Sequence, residues 1–143
     1  MTEDLYKIVY CSKNYMLGEQ SMRDEQVIQI LKTSRKNNSL QNVTGALLYS
    51  SNFFAQVLEG PQKAIETIFE RIQRDDRHGE VTVLDSSRSA CRDFPEWSMA
   101  RVHPPAEDLS NSIPLALDRA ILAKSDAASE VLLLLRTLVI EAD

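Results

Sequence analysis

The sequence predicts an α+β fold, a mostly antiparallel sheet with two helices on one face, and three observations predict it. Two stretches repeat apolar residues with a helical period, five read as strands, and their order along the chain is β-α-β-β-α-β-β. With crossovers of the usual right hand, that order is the ferredoxin-like, or split βαβ, plan. A chain of 143 residues suits it, because at this size a single core buries roughly 68–70% of the unfolded surface without disulfides or metal.

Each element has its own signal. Tyr6 to Cys11 is rich in β-branched and aromatic residues, with Ile8 and Tyr10 on one face. Ser21 followed by Asp24 resembles a helix cap, and Val27, Ile30, Leu31 and Ser34 fall at i, i+3, i+4 and i+7, predicting a helix to about Lys36. Val43 to Ser50 and Phe53 to Glu59 are two strands close enough to form a hairpin, with Phe54, Gln56 and Leu58 sharing a face. Gly60-Pro61 ends the strand and places proline at the first turn of a second helix, in which Ile65, Ile68, Phe69 and Ile72 repeat the helical spacing. Val81 to Leu84 and Trp97 to Val102 complete the strands.

After His103-Pro104-Pro105 the character changes, dividing the chain into a domain over 1–103 and an extension over 104–143. An apolar piece around Ile113 to Leu122 and a run from Val131 to Ile140, apolar almost all round, predict C-terminal helices. Such a helix must be covered, either by capping the open sheet face or by packing on a second copy.

Composition narrows the function classes. The balance of 16 basic and 21 acidic residues, a formal charge of −5, opposes binding to phosphate backbones, so nucleic acid is not an expected partner. Cys11 and Cys91 form no C-x-x-C pair and suit a reducing compartment, and His78 and His103 have no Cys neighbour with which to ligate a metal. The N-terminus is acidic where a secretory signal is basic, and no apolar run approaches the ~18–20 residues of a membrane span, so a soluble, cytoplasmic protein is expected.

The chain contains no G-x-S-x-G, H-E-x-x-H, P-loop or G-x-G-x-x-G string. Arg71, Arg74, Arg77 and His78 lie at and beyond the end of the second helix, where they read most simply as a solvated end complementing the helix dipole. Gln56, between Phe54 and Leu58 on its face, is expected inside, and a buried amide needs partners, from backbone or elsewhere. Tyr10 fits ordinary core with its hydroxyl satisfied nearby, and Asn37 and Asn38 fit a helix end and turn.

Taken together, five strings resemble one family. They are Tyr6-Lys7-Ile8-Val9-Tyr10-Cys11-Ser12, Asn37-Asn38 with Asn42-Val43-Thr44-Gly45, Phe53 to Gly60, Ile72 to His78, and Phe94-Pro95-Glu96-Trp97-Ser98-Met99. In order and approximate spacing over about residues 5–102 they resemble the BLUF family, sensors of blue light using FAD. The resemblance implies a photoreceptor, not an enzyme, with a flavin held between the two helices, FAD first and FMN or riboflavin as alternatives. Tyr10 would be the light-driven electron and proton donor, and Gln56 the link between it and the flavin ring. Asn37, Asn38, Ile30 and Ile72 would hold or flank the ring, while Arg71, Arg77 and His78 would meet ribityl or phosphate groups. Trp97 and Met99 would carry the output. Ala55 departs from the family, which often has a larger apolar residue there, and lies on the face opposite Gln56. No enzymatic effector follows residue 102, which implies the short type, signalling through a homo-oligomer or a separate protein.

Two rival readings remain. Small ferredoxin-like domains include acylphosphatases, and Lys13, Asn14 and Gly18 follow the first strand, but the arginine of a phosphate cradle is missing. An RNA-binding module of this topology would carry an RNP-type aromatic string, and none is present. A ligand- or protein-binding module without photochemistry is the bland form of the same fold.

Overall fold

The structure, a computed structural model, describes residues 5–16, 19–49, 53–95, 98–102 and 139–141. Its elements are β1 (Leu5–Asn14), α1 (Gln20–Leu40), β2 (Thr44–Tyr49), β3 (Phe53–Pro61), α2 (Gln62–Gln73), β4 (His78–Ser89), β5 (Ala100–Val102) and β6 (Val139–Glu141). The six strands form one sheet in the order β4-β1-β3-β2-β5-β6. The first four, all antiparallel, have the ferredoxin-like arrangement, and β5 extends them by running parallel to β2.

Both helices cover the same face. Val27 and Leu31 of α1 and Ile65 and Ile68 of α2 join Ile8, Tyr10, Leu47, Phe54 and Leu58 in one buried cluster, against which Ile30, Phe69 and Ile72 pack. Burial of each fully enclosed aliphatic side chain contributes about 1.5–3 kcal/mol as an upper estimate, which is why the helical period was the strongest signal in the sequence.

Several boundaries differ from expectation: β1 spans Leu5–Asn14 where Tyr6 to Cys11 was expected, and β5 is the three residues Ala100–Val102 where Trp97 to Val102 was expected. Ser21 does not cap α1: the helix begins at Gln20, and the Glu19 carbonyl already accepts from Arg23 N at 3.0 Å, so Ser21 lies in the first turn. Nor does α1 stop at Lys36. It continues through Asn37 and Asn38 to Leu40, because the Asn38 carbonyl takes the amides of Gln41 (3.1 Å) and Val43 (2.9 Å). The turn is then made by Asn42 at φ 59°, a left-handed position that asparagine tolerates well. Finally, β4 spans twelve residues where four were expected, since its polar alternation hides it from a search for apolar runs.

Pro61 closes β3 and serves as N-cap of α2. Of the predicted C-terminal helices, the piece around Ile113 to Leu122 and residues 131–138 lie outside the described residues. Val139–Glu141 is a strand, not helix, and pairs antiparallel with β5; the backbone bonds available at the sheet edge outweigh the apolar pattern there.

The second sheet face is also buried. Val9, Leu48, Ala55 and Val57 are almost wholly enclosed, so Ala55 lies opposite Gln56 as anticipated. On this face Glu59, 1% exposed, accepts the amides of Asp93 (2.7 Å) and Phe94 (2.8 Å) on its two carboxylate oxygens. Lys7 pairs with both Glu59 and Asp93. Burial works against the Lys7 charge, but Asp93 and Glu59 outweigh it and hold its pKa above the usual lysine value. Burial raises the Glu59 pKa against the pull of the two amides and Lys7.

Candidate flavin site between the two helices

The β1–β3 register sets the centre of the site. Tyr10 stands directly opposite Gln56, and directly opposed residues of an antiparallel pair project to the same face. Both are buried, at 3% and 4% exposure, and the Tyr10 hydroxyl donates to Gln56 Oε1. The amide nitrogen, Nε2, donates to the Met99 sulfur at 3.4 Å. A phenol, an amide and a thioether thus form a chain from β1 through β3 to the residue before β5. Burial, and then the charge of Asp75, push the Tyr10 pKa far above the ordinary tyrosine range, so the phenol keeps its proton.

Two adjoining hollows lie over this chain, with cavity volumes of about 60 and 190 Å3. Both are lined by Ile30 and Ser34 from α1, Gln56 from β3, Ile72 from α2, and Asp75 and Arg77 beyond it. The smaller adds Tyr10, Leu47, Phe54 and His78, and the larger adds Asn37, Asn38 and Arg71. Every expected cofactor-contacting residue therefore lines one or other of these two hollows. Met99, fully buried, stands beside Gln56, and Trp97 lies outside the described residues.

His78 is a brace more than a free ligand. Its Nε2 lies 2.6 Å from the Ile72 carbonyl and its Nδ1 lies 2.7 Å from Ser12 Oγ. A carbonyl only accepts, so Nε2 carries hydrogen and, in the neutral ring, Ser12 donates to Nδ1. With both nitrogens engaged, the ring offers the cleft its faces and edges, and it meets Phe54 edge-on at 6.0 Å.

Arg74 fits the solvated-end reading, exposed and paired with Glu70. Arg77 instead chelates Asp75, with Nε 2.8 and 3.0 Å from the two carboxylate oxygens, while the Arg77 amide adds a bond of 2.9 Å. This fork holds the Asp75 pKa below the usual carboxylate value, against the effect of burial.

Sequence reasoning missed Asp75, Ser34 and Ser12 as parts of the site. Asp75 stood inside a recognised string, two residues before Arg77; Ser34 occupied the polar position of the α1 apolar stripe; Ser12 closed the first recognised string, but its role depends on the β1–β4 pairing that places Asn14 beside His78.

The residues fit a flavin. Ile30 and Ile72 offer apolar walls of the kind a flat conjugated ring requires, and Gln56 and Asn38 bring to the same hollows amides that carry both donors and acceptors. Among the described residues no group of three His, Cys, Asp or Glu is placed to hold a metal.

Comparison with known proteins decides the family. The model for sensors of blue light using FAD matches residues 5–100. The chain belongs to the BLUF family. Residues 5–100 thus form a flavin-binding blue-light sensor domain. It is 33% identical over 92 residues to the photoactivated adenylate cyclase subunit beta of Euglena gracilis, an alignment covering 59% of this chain and 11% of that protein. A beta-like protein of the same organism is 33% identical over 110 residues, 76% of this chain and 13% of the relative. The chain thus spans about a tenth of the length of these curated relatives. Among solved structures, the dark state of the BLUF protein BlrB is 28% identical with a TM-score of 0.75, covering 96% of this chain and 98% of that one. The photo-activated state of BlsA is 25% identical with a TM-score of 0.76, covering 97% and 99%. A bacterial light-regulated adenylyl cyclase is 25% identical with a TM-score of 0.71, covering 94% of this chain and 40% of that one.

Proposed function

We propose that this BLUF domain signals by rearranging the hydrogen bonds of Tyr10 and Gln56, and the observation that carries the reading is the buried chain from the Tyr10 phenol through the Gln56 amide to Met99. A bound flavin supplies absorption of blue light and an excited state that accepts an electron. Tyr10 would be the residue placed to supply that electron, and its hydroxyl proton has a path along the bond to Gln56 Oε1. With the phenol altered, the amide no longer has reason to keep oxygen toward Tyr10 and nitrogen toward Met99. Because an amide bears an acceptor at one end and donors at the other, reversing its ends changes what Met99 and the cleft are offered.

Asn38 lends its donor to the Ser98 carbonyl at 2.8 Å and keeps an acceptor oxygen for the ring. Asn37, Arg71 and Arg77 line the wider hollow, where cationic groups suit a phosphate-bearing tail. FAD is the ligand proposed, in line with the family's description. FMN is the alternative, since a Klebsiella pneumoniae BlrP1 structure, 26% identical with a TM-score of 0.63, contains it; release of the bound flavin by heat and chromatography distinguishes the two.

Output passes through Met99 and Trp97 to a second copy of the chain or to a separate protein, in the cytoplasm, with residues 104–143 as the extension that makes the contact. No described helix is long and apolar enough to cross a membrane. One hydrogen bond contributes about 0.5–1.5 kcal/mol net, so the switch acts only on a closely balanced equilibrium.

The test is an absorption spectrum before and after blue illumination. The protein is expected to be yellow, to shift slightly to the red, and to recover in darkness. Tyr10→Phe and Gln56→Leu are each expected to retain flavin and lose the shift; a normal photocycle in both variants refutes the proposed switch.

A further inference from the structure

Met99 is held from two sides. Its sulfur accepts from Gln56 Nε2 at 3.4 Å, and its carbonyl accepts from Arg35 Nε at 3.0 Å. The preceding carbonyl, of Ser98, accepts from Asn38 Nδ2 at 2.8 Å. Arg35 and Asn38 stand three residues apart on α1 and so share one stripe of the helix surface. That stripe grips two successive carbonyls of the chain leading into β5. Arg35 does not line either hollow described above; it reaches the switch through Met99.

We propose that Arg35 is a positioning residue, a latch that keeps the Met99 sulfur against the Gln56 amide and so sets how long the light state lasts. The inference rests on the sensor reading above. A thioether sulfur accepts hydrogen bonds and has none to donate. While the amide nitrogen faces it, the sulfur has a partner; once the amide oxygen is turned to that side, acceptor meets acceptor. A free Met99 would withdraw at little cost. With its carbonyl tied to α1, the Met99 backbone cannot follow a withdrawing sulfur without breaking the bond to Arg35, and the fully buried side chain has little room to turn by itself, so the rearranged state is disfavoured and returns sooner. The latch therefore acts on the dark return and leaves the light-driven step to Tyr10 and Gln56.

The test uses the flavin-loaded full chain and times the return of its spectrum in darkness after a blue pulse. Arg35→Met keeps the aliphatic stem and removes every donor, whereas Arg35→Lys keeps one. Arg35→Met is expected to show the full red shift and return about three- to tenfold more slowly, the range that one hydrogen bond spans, while Arg35→Lys stays near the parent. In a Met99→Leu background, which has no acceptor to oppose the amide, Arg35→Met should have no further effect. Arg35→Leu, which likewise has no donor, takes the place of Arg35→Met if that variant does not fold, and is expected to slow the return in the same direction. A return within about twofold of the parent overturns the latch, and so does an equal slowing in the Met99→Leu background. A parent protein with no light-induced shift removes the sensor reading itself, whereas a cycling parent with an unchanged Arg35 variant removes the latch alone.

Discussion

His78 ties three segments together at a single ring: the end of α2 through the Ile72 carbonyl, β1 through Ser12, and its own strand β4. Replacing it with alanine leaves Ser12 and the carbonyl to find other partners and empties space beside Phe54 and Tyr10. A loss of about 2–3 kcal/mol in denaturant unfolding is expected for His78→Ala, together with weaker retention of flavin, whereas His78→Gln, which also carries a donor and an acceptor, should recover part of both. At this scale the family resemblance made the site legible, since its recognised strings contain Tyr10, Gln56, Asn38 and His78. What the residues alone left open was the direction each faces. Arg74 and Arg77 are the same residue type three positions apart, yet one makes an exposed helical ion pair and the other turns inward on Asp75. That difference arises from the turn after α2, which no periodicity encodes.

Among the elements, the β2–β3 pairing depends on a close approach at Gly45. A Cβ added there would lie 2.0 Å from the Val57 carbonyl oxygen, a backbone atom that moves only by shifting β3 and with it Gln56. Gly45→Ala is expected to destabilise by about 1–3 kcal/mol or more, seen as a lower denaturation midpoint, and to disturb the spectrum of bound flavin. Helix cores were readable from sequence because Val27 and Leu31 in α1, and Ile65 and Ile68 in α2, bury at the expected spacing. Helix ends were not. The polar run Lys36-Asn37-Asn38-Ser39 has the composition of a terminus, but the Asn38 carbonyl takes the amides of Gln41 and Val43 just beyond it, and its side chain gains a bond to Ser98, sixty residues away, which no local pattern reveals. Val139 and Ile140, expected as the end of a helix, are strand for a related reason: an element three residues long is defined by its neighbour, β5, more than by its own pattern.

For the molecule as a whole, protons retained in the folded state predict a steep alkaline limit. Burial moves the Cys11 thiol from 9.0 up to about 11, and Tyr10 moves in the same direction. Above about pH 9 the unfolded chain therefore releases protons that the folded chain still holds, so stability falls as pH rises. Lys7 adds to the fall at still higher pH, since its raised pKa contributes stability that is lost as it deprotonates. Unfolding free energies measured between pH 7 and 11 should decline beyond pH 9, and Cys11→Ala should remove on the order of 2 kcal/mol of that decline. In acid the two carboxylates act in separate windows. As pH falls toward 4.5, protonation relieves the buried Glu59, whose pKa is raised, and adds stability; below about 3.8 the contribution of Asp75, whose pKa is lowered, is lost. Unfolding free energies measured between pH 7 and 3 are accordingly expected to fall only after about pH 4 is passed.

The carboxylate of Glu59 fastens the amide of Phe94 on the side of the sheet away from the cleft, and Ala100 is already paired with β2. The Met99 carbonyl is itself held by Arg35, and the next residue, Ala100, is already a rung of the sheet opposite Ala46. Any displacement of the methionine therefore has a single peptide link over which to fade before it reaches β5.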